Sequence, residues 1–250
     1  MRLRALRRHW NEYGRSDPLW AILTAPDKKG NRWSIDDFLQ TGRDEIDALI
    51  RYLDQRGLAQ NRRRALDFGC GAGRLTHALA GYFDHVIGVD IAASMINVAK
   101  RLHGGTPNLE FRVNTSGRLE SVPSGSVDLV YTLLVLQHIR PRYVRRYLAE
   151  FVRVLTPGGV LIFQLPSGDV LPVKVEGHPL KRLLPRPVIA AIRAVRRLRE
   201  FPRMESHGLP RREVEQLLAD LGAPVVDVVD DHAHGTDTPG FRYCAVKVAR

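Results

Sequence analysis

In the stretch "RRRALDFGCGAGRLTHALA", Arg62 to Ala80, a short apolar run meets an acid, Asp67, then three glycines, Gly69, Gly71 and Gly73. A pattern with helical spacing follows at once through Leu75, Leu79 and Phe83. A buried strand, a glycine turn and a helix start in that order fit a sheet whose helices return each strand to the same edge. The rest of the chain repeats the rhythm. "HVIGVD" reads as the next strand and "SMINVAKRLH" as a helix with Ser94 as its N-cap. "LEFRVN" and "VDLVYTLLVL" are the third and fourth strands, "YVRRYLAEFVRVL" a helix, "PGG" a turn, and "VLIFQLP" a fifth strand. The expectation is an α/β chain with a doubly wound, largely parallel sheet.

After Pro166 the alternation breaks. Prolines stand at 172, 179, 185, 187 and 202, around a basic amphipathic helix with an apolar side at Val188, Ile192, Val195 and Leu198. It resumes with the helix "PRREVEQLLADLG" and the runs "PVVDVVD" and "FRYCAVKVA", two strands expected to pair antiparallel. Residues 1–60 read as an N-terminal helical cap, helical from about Ser34. Residues 61–250 read as the main domain, with a lid insertion at about 167–206. Trp10, Tyr13 and Trp20 cluster without a regular period, as an aromatic cap over the site or as ordinary packing.

The glycine turn announces a nucleotide pocket at the carboxyl ends of the strands. The phosphate-binding spacing GxxxxGK[ST] is absent, and Thr76 takes the last glycine position of the dinucleotide turn. Asp67 decides between ligands. A carboxylate beside the turn repels a pyrophosphate and attracts a cationic ligand. S-adenosylmethionine carries an ammonium and a sulfonium and no phosphate. Asp90, which ends the second strand, is placed to accept hydrogen bonds from both ribose hydroxyls. Either acid could instead cap a helix or order a turn. Cys70 reads as a filler of small space.

"ALDFGCGAGRLT", "VIGVDIAASMI", "VDLVYTLLVLQHI" and "EFVRVLTPGGVLIF" together resemble the class I S-adenosylmethionine-dependent methyltransferases of the bacterial small-molecule group. The resemblance covers residues 60 to 166 and, more loosely, the last two strands. It implies a Rossmann-like seven-stranded sheet with an antiparallel last strand. It also implies cofactor contacts at Ile91, Met95 and Thr132, with Met95 packing near the adenine. Asn114 stands where the family often has an aspartate that reads the adenine amino group.

A sulfonium methyl is already activated, so the protein must chiefly hold an acceptor in line with it. A hydroxyl acceptor calls for a base. His138, after the fourth strand in "VLQHI", is the candidate; a turn-ordering residue or a contact to the cofactor's methionine end is the other reading. His232 and His234 lie in "DHAHGTDTPG", a metal-capable loop or a polar hairpin. His178 and His207 flank the basic insertion.

The expected function is O-methylation of a small-molecule or glycan hydroxyl. N-methyl transfer, or a non-catalytic S-adenosylmethionine-binding protein docking on RNA, are the alternatives. Asp67 argues against a nicotinamide dehydrogenase. A net charge of +11 raises the question of anionic partners. No nucleic-acid motif or interleaved aromatic platform accompanies the arginines, which argues against nucleic acid and leaves peripheral membrane contact open. Two separated cysteines and no apolar run of about 20 residues point to the cytoplasm.

Overall fold

A computed structural model of the chain describes residues 3–59, 61–168, 204–231 and 239–249. The strands are β1 (Arg64–Phe68), β2 (His85–Asp90), β3 (Leu109–Val113), β4 (Val127–Thr132), β5 (Leu155–Pro166), β6 (Val225–Asp230) and β7 (Gly240–Val246). They form one seven-stranded sheet in the order β3-β2-β1-β4-β5-β7-β6. β1 to β5 pair in parallel, whereas β7 runs antiparallel between β5 and β6. The expected architecture is therefore present, antiparallel last strand included.

The helices are α1 (Leu3–Ser16), α2 (Pro18–Ile22), α3 (Ile35–Gln55), α4 (Arg74–Leu79), α5 (Ala93–His103), α6 (Pro141–Val154) and α7 (Arg211–Asp220). On one sheet face α3 and α4 bury Ile46, Leu53 and Leu79 against Ala65, Leu129 and Ile162. On the other, α6 and α7 bury Leu148, Phe151 and Leu218 against Leu66, Val130 and Phe163. Every residue of β4 is buried, as a central strand covered on both faces requires. Each such large apolar side chain contributes about 1.5–3 kcal/mol of burial. Strand alternation then sends Asp67 and Tyr131, register partners on β1 and β4, to the α3/α4 face near the carboxyl edge.

Several expectations change. The helical cap expected over residues 1–60 starts well before Ser34: α1 takes in Trp10 and Tyr13, which the sequence shows only as part of a cluster without a regular period. Leu3, Leu6, Trp10 and Tyr13 fall at spacings of three and four along it, and Leu6 is buried in the main core. Ser94 is not the N-cap of α5. Ala92 stands there, and the orphan Ser94 N–H donates to Asn11 Oδ1 of α1 at 3.0 Å. The Ser94 hydroxyl donates to the Asn11 carbonyl at 2.9 Å, so the cap is supplied by another helix. Gly14 permits this approach, since a Cβ there would stand 2.3 Å from Ser94 Oγ.

The fourth strand stops at Thr132, because Leu134 turns to φ +61° and Leu136–His138 form a 3-10 turn. The "PGG" turn is a bulge inside β5. Gly158 adopts φ +74°, and the register shifts from Val127↔Leu155 to Leu129↔Val160. Residues 169–203, including the expected lid helix and His178, and residues 232–238, including His232 and His234, lie outside the described residues. The Leu209 N–H donates to the Pro166 carbonyl at 3.1 Å, which holds Leu209 at the carboxyl end of β5.

Candidate active site

The site is built where β1, β2, β3 and β4 end. After Phe68 the glycine turn adopts φ of +78° at Gly69, +53° at Gly71 and +84° at Gly73. Only glycine takes these values without strain. The turn is also crowded. A Cβ on Gly69 would stand 2.4 Å from Val135 Cγ2, and one on Gly71 would stand 2.6 Å from Ile22 Cδ1. Below the turn, His103 Nε2 donates to the Ala72 carbonyl at 3.0 Å, and its ring stacks on His77. Burial, with His77 adding to it, pushes the His103 imidazole down to about 4, so it is neutral at neutral pH.

Two acids flank the turn. Asp67 is 1% exposed and accepts the Thr76 hydroxyl at 2.6 Å. Burial raises its carboxyl to about 6, against the pull of Thr76 and the Arg74 guanidinium. Asp90 accepts the Gly71 N–H at 3.0 Å on one oxygen and the Ala92 N–H at 2.8 Å on the other. It too is raised to about 6 by burial, despite these backbone donors. The electrostatic cost of two desolvated carboxylates at one turn is relieved by a cation. Cys70 is buried beside them, with its thiol pushed well up, which suits a filler rather than a nucleophile.

The remaining sequence-selected residues divide. The Asn114 N–H donates to the Asp90 carbonyl at 2.8 Å, which brings the end of β3 to the end of β2. Ile91 is half-buried against the main core. Met95 is fully buried with Ala21 and Ala92, under Trp10, Tyr13, Ile22 and Met204, so the N-terminal helices cover it. Three polar atoms at this edge are buried with no hydrogen-bond partner: Asn114 Nδ2, Thr132 Oγ1 and Gln137 Oε1. Buried polar atoms are rarely left unmatched, and three at the carboxyl ends of β3 and β4, with β2 and β1 between them, fit a polar ligand lying across that edge.

His138 lies in the 3-10 turn after β4. Its Nδ1 is 2.8 Å from the Glu205 carbonyl, which only accepts, so Nδ1 carries the hydrogen and Nε2 the lone pair. Gln137 Nε2 donates to that lone pair at 3.3 Å. The ring packs against Trp10, with centroids 5.3 Å apart. Burial lowers its pKa, helped by His207 and opposed by the bond to Glu205. His207 is brought to the same turn, its N–H donating to the Gln137 carbonyl at 2.7 Å.

Sequence reasoning missed three features. Leu134 is left-handed, which costs a side-chain-bearing residue roughly 1–2 kcal/mol. Gln164 is 1% exposed on β5 and accepts the Leu134 N–H at 3.3 Å; a lone polar residue inside "VLIFQLP" was its signal. On the α3/α4 face, Glu45 accepts the Tyr131 hydroxyl at 2.6 Å and Arg242 Nη1 at 2.7 Å, and Arg242 Nε reaches Asp231 at 2.9 Å. That network ties α3 to both β4 and β7. It had no local signature. Among the described residues no group of three or more metal-ligating side chains occurs.

Residues 66–163 match the family model described as "Methyltransferase domain". A ubiquinone biosynthesis O-methyltransferase of Xanthomonas oryzae is 35% identical over 130 residues, 49% of this chain and 52% of that protein. An uncharacterized protein of a Streptomyces fradiae transposon is 32% identical over 170 residues, 66% of this chain and 44% of that one. The chain thus spans about half the length of the curated relatives it matches. Among solved structures, magnesium protoporphyrin IX methyltransferase from Synechocystis with bound S-adenosylhomocysteine superposes with a TM-score of 0.61 at 18% identity, covering 96% of this chain and 97% of that one. A Leishmania major methyltransferase gives 0.63 at 19% identity, covering 97% and 83%. At such identities the structures establish the fold.

Proposed function

We propose that this chain, whose residues 66–163 match the methyltransferase-domain model, is a class I S-adenosylmethionine-dependent methyltransferase that transfers a methyl group to a hydroxyl of a small molecule or glycan. S-adenosylmethionine supplies the electrophilic methyl. Gly69, Gly71 and Gly73 let the backbone approach it, and Asp67 offsets its ammonium. Asp90 retains acceptor capacity on both carboxylate oxygens for the ribose hydroxyls. Ile91 and Met95 form the apolar side towards the base. Asn114 and Thr132 offer the unmatched polar atoms Nδ2 and Oγ1.

His138 takes the hydroxyl proton. The observation that carries this is the bond from Nδ1 to the Glu205 carbonyl, which leaves the Nε2 lone pair as the basic position. Burial keeps the imidazole neutral and able to accept. His138 Nε2 would receive the acceptor's proton while Nδ1 keeps its hydrogen, and with S-adenosylmethionine bound the sulfonium–methyl bond would break to release S-adenosylhomocysteine. Gln137 Nε2 must yield that lone pair to the acceptor hydroxyl, a side-chain rotation rather than a backbone change.

The O-methyltransferase names of the Xanthomonas relatives favour oxygen over nitrogen as the acceptor. No helix among the described residues is long and apolar enough to cross a membrane. The cytoplasmic reading is supported by Cys70 and Cys244 being free thiols, and peripheral membrane contact is allowed. Calorimetry with S-adenosylhomocysteine, followed by transfer of labelled methyl into a small-molecule extract, tests the assignment. Saturable binding and a labelled product with a base-stable methyl ether are expected. Absence of binding would overturn it.

A further inference from the structure

Departures from ordinary backbone and side-chain chemistry gather in one short segment. Between Thr132 and His138 stand two buried polar atoms without partners, Thr132 Oγ1 and Gln137 Oε1, and the left-handed Leu134. Backbone strain in a leucine persists only where the surroundings over-determine it. Here the restraint is visible. The Leu134 N–H donates at 3.3 Å to Oε1 of Gln164, a side chain 1% exposed on the neighbouring strand.

What the strained residue achieves is also visible. It ends β4 and reverses the chain so that the next residue, Val135, packs on Gly69, where a Cβ would be 2.4 Å away. The 3-10 turn that follows carries His138 to Trp10 and to the Glu205 carbonyl. An extended Leu134 would continue the strand and carry Val135 off the glycine turn. We propose that Gln164 is a positioning residue for methyl transfer: it holds Leu134 in the left-handed conformation that registers His138 against the glycine turn. The inference rests on the reading of His138 as the base. The effect of Gln164 passes through the backbone of residues 134–138.

The test uses the full chain and needs no acceptor. Imidazole nitrogen and carbon resonances of His138 report its tautomer and pKa by NMR, and calorimetry reports S-adenosylhomocysteine affinity. In the wild type His138 is held as the Nδ1–H tautomer. In Gln164→Leu the tautomer signal averages and the pKa moves towards that of a free imidazole, while cofactor-product affinity changes less than about threefold. Adding Leu134→Gly restores the wild-type His138 signals, because glycine enters the left-handed region without a restraint. A residue that merely fills β5 would show no such rescue. Leu134→Val leaves β5 untouched and keeps the test open should Gln164→Leu not fold; it must perturb His138 in the same direction. Unchanged His138 signals in Gln164→Leu or Leu134→Val, or a double variant no closer to wild type than Gln164→Leu, would overturn the inference. Failure of the functional reading is a separate result, seen as no S-adenosylhomocysteine binding to the wild type.

Discussion

The Asp90 carboxylate is bonded to the glycine turn itself, through the Gly71 N–H at 3.0 Å. The acid that ends β2 therefore does two jobs. It fixes the backbone of the turn that follows β1, and it presents its remaining lone pairs at the sheet edge. Asp90→Ala is expected to weaken S-adenosylhomocysteine binding by about 1–3 kcal/mol, since polar groups on both sides lose their partner. Calorimetry reads this directly, and an unchanged affinity would remove Asp90 from the ribose contact.

Asp67 couples ligand binding to stability with a definite sign. Its folded-state pKa of about 6 lies above the ordinary 3.8, so the native chain holds a proton that the unfolded chain releases between those values. The ligand-free protein therefore loses stability as pH rises through that window. Asp67→Asn should raise urea-unfolding stability by about 1–2 kcal/mol at pH 7.5, with the gain vanishing near pH 4, yet reduce affinity for S-adenosylmethionine. A variant less stable than wild type at pH 7.5 would contradict this.

His103 works in the opposite direction. Its pKa is lowered from 6.5 to about 4, so the unfolded chain binds the extra proton first and stability falls as pH drops through that interval. His103→Gln keeps a side-chain donor near the Ala72 carbonyl and cannot titrate. Its unfolding midpoint should lose less between pH 6.5 and 4 than the wild type, a difference of roughly 1–2 kcal/mol. Parallel pH profiles for the two proteins would refute the assignment.

Asn11 secures the first helix to the site. Asn11→Ala removes the acceptor for the Ser94 N–H at the start of α5, the helix that follows Asp90. A cost of about 1 kcal/mol is expected, as for other lost N-terminal caps. Thermal unfolding of the full chain checks it, and Asn11→Asp, which keeps the acceptor, should retain most of that stability.

The sheet and the glycine turn were legible because both are local patterns. Apolar runs of strand length alternate with helical spacing, and Gly69, Gly71 and Gly73 mark a turn that side chains forbid. α1 was harder, because arginines stand between Leu3, Leu6 and Trp10 and hide a stripe whose partners lie far along the chain. Leu134 gave no warning at all. Leucine is disfavoured in the left-handed region, and the partner of its N–H, Gln164, lies thirty positions away. Glu45, Tyr131 and Arg242 meet for the same reason: tertiary register, not spacing, joins them.

We propose that His138 removes the acceptor's proton beside a bound S-adenosylmethionine. It is tested most directly by the rate of labelled-methyl transfer in His138→Ala against wild type, at matched cofactor saturation. A fall of roughly 10²–10⁴ is predicted, with S-adenosylhomocysteine affinity nearly intact and a wild-type rate that rises with pH as the imidazole loses its proton. A His138→Ala protein that transfers methyl at the wild-type rate would contradict it.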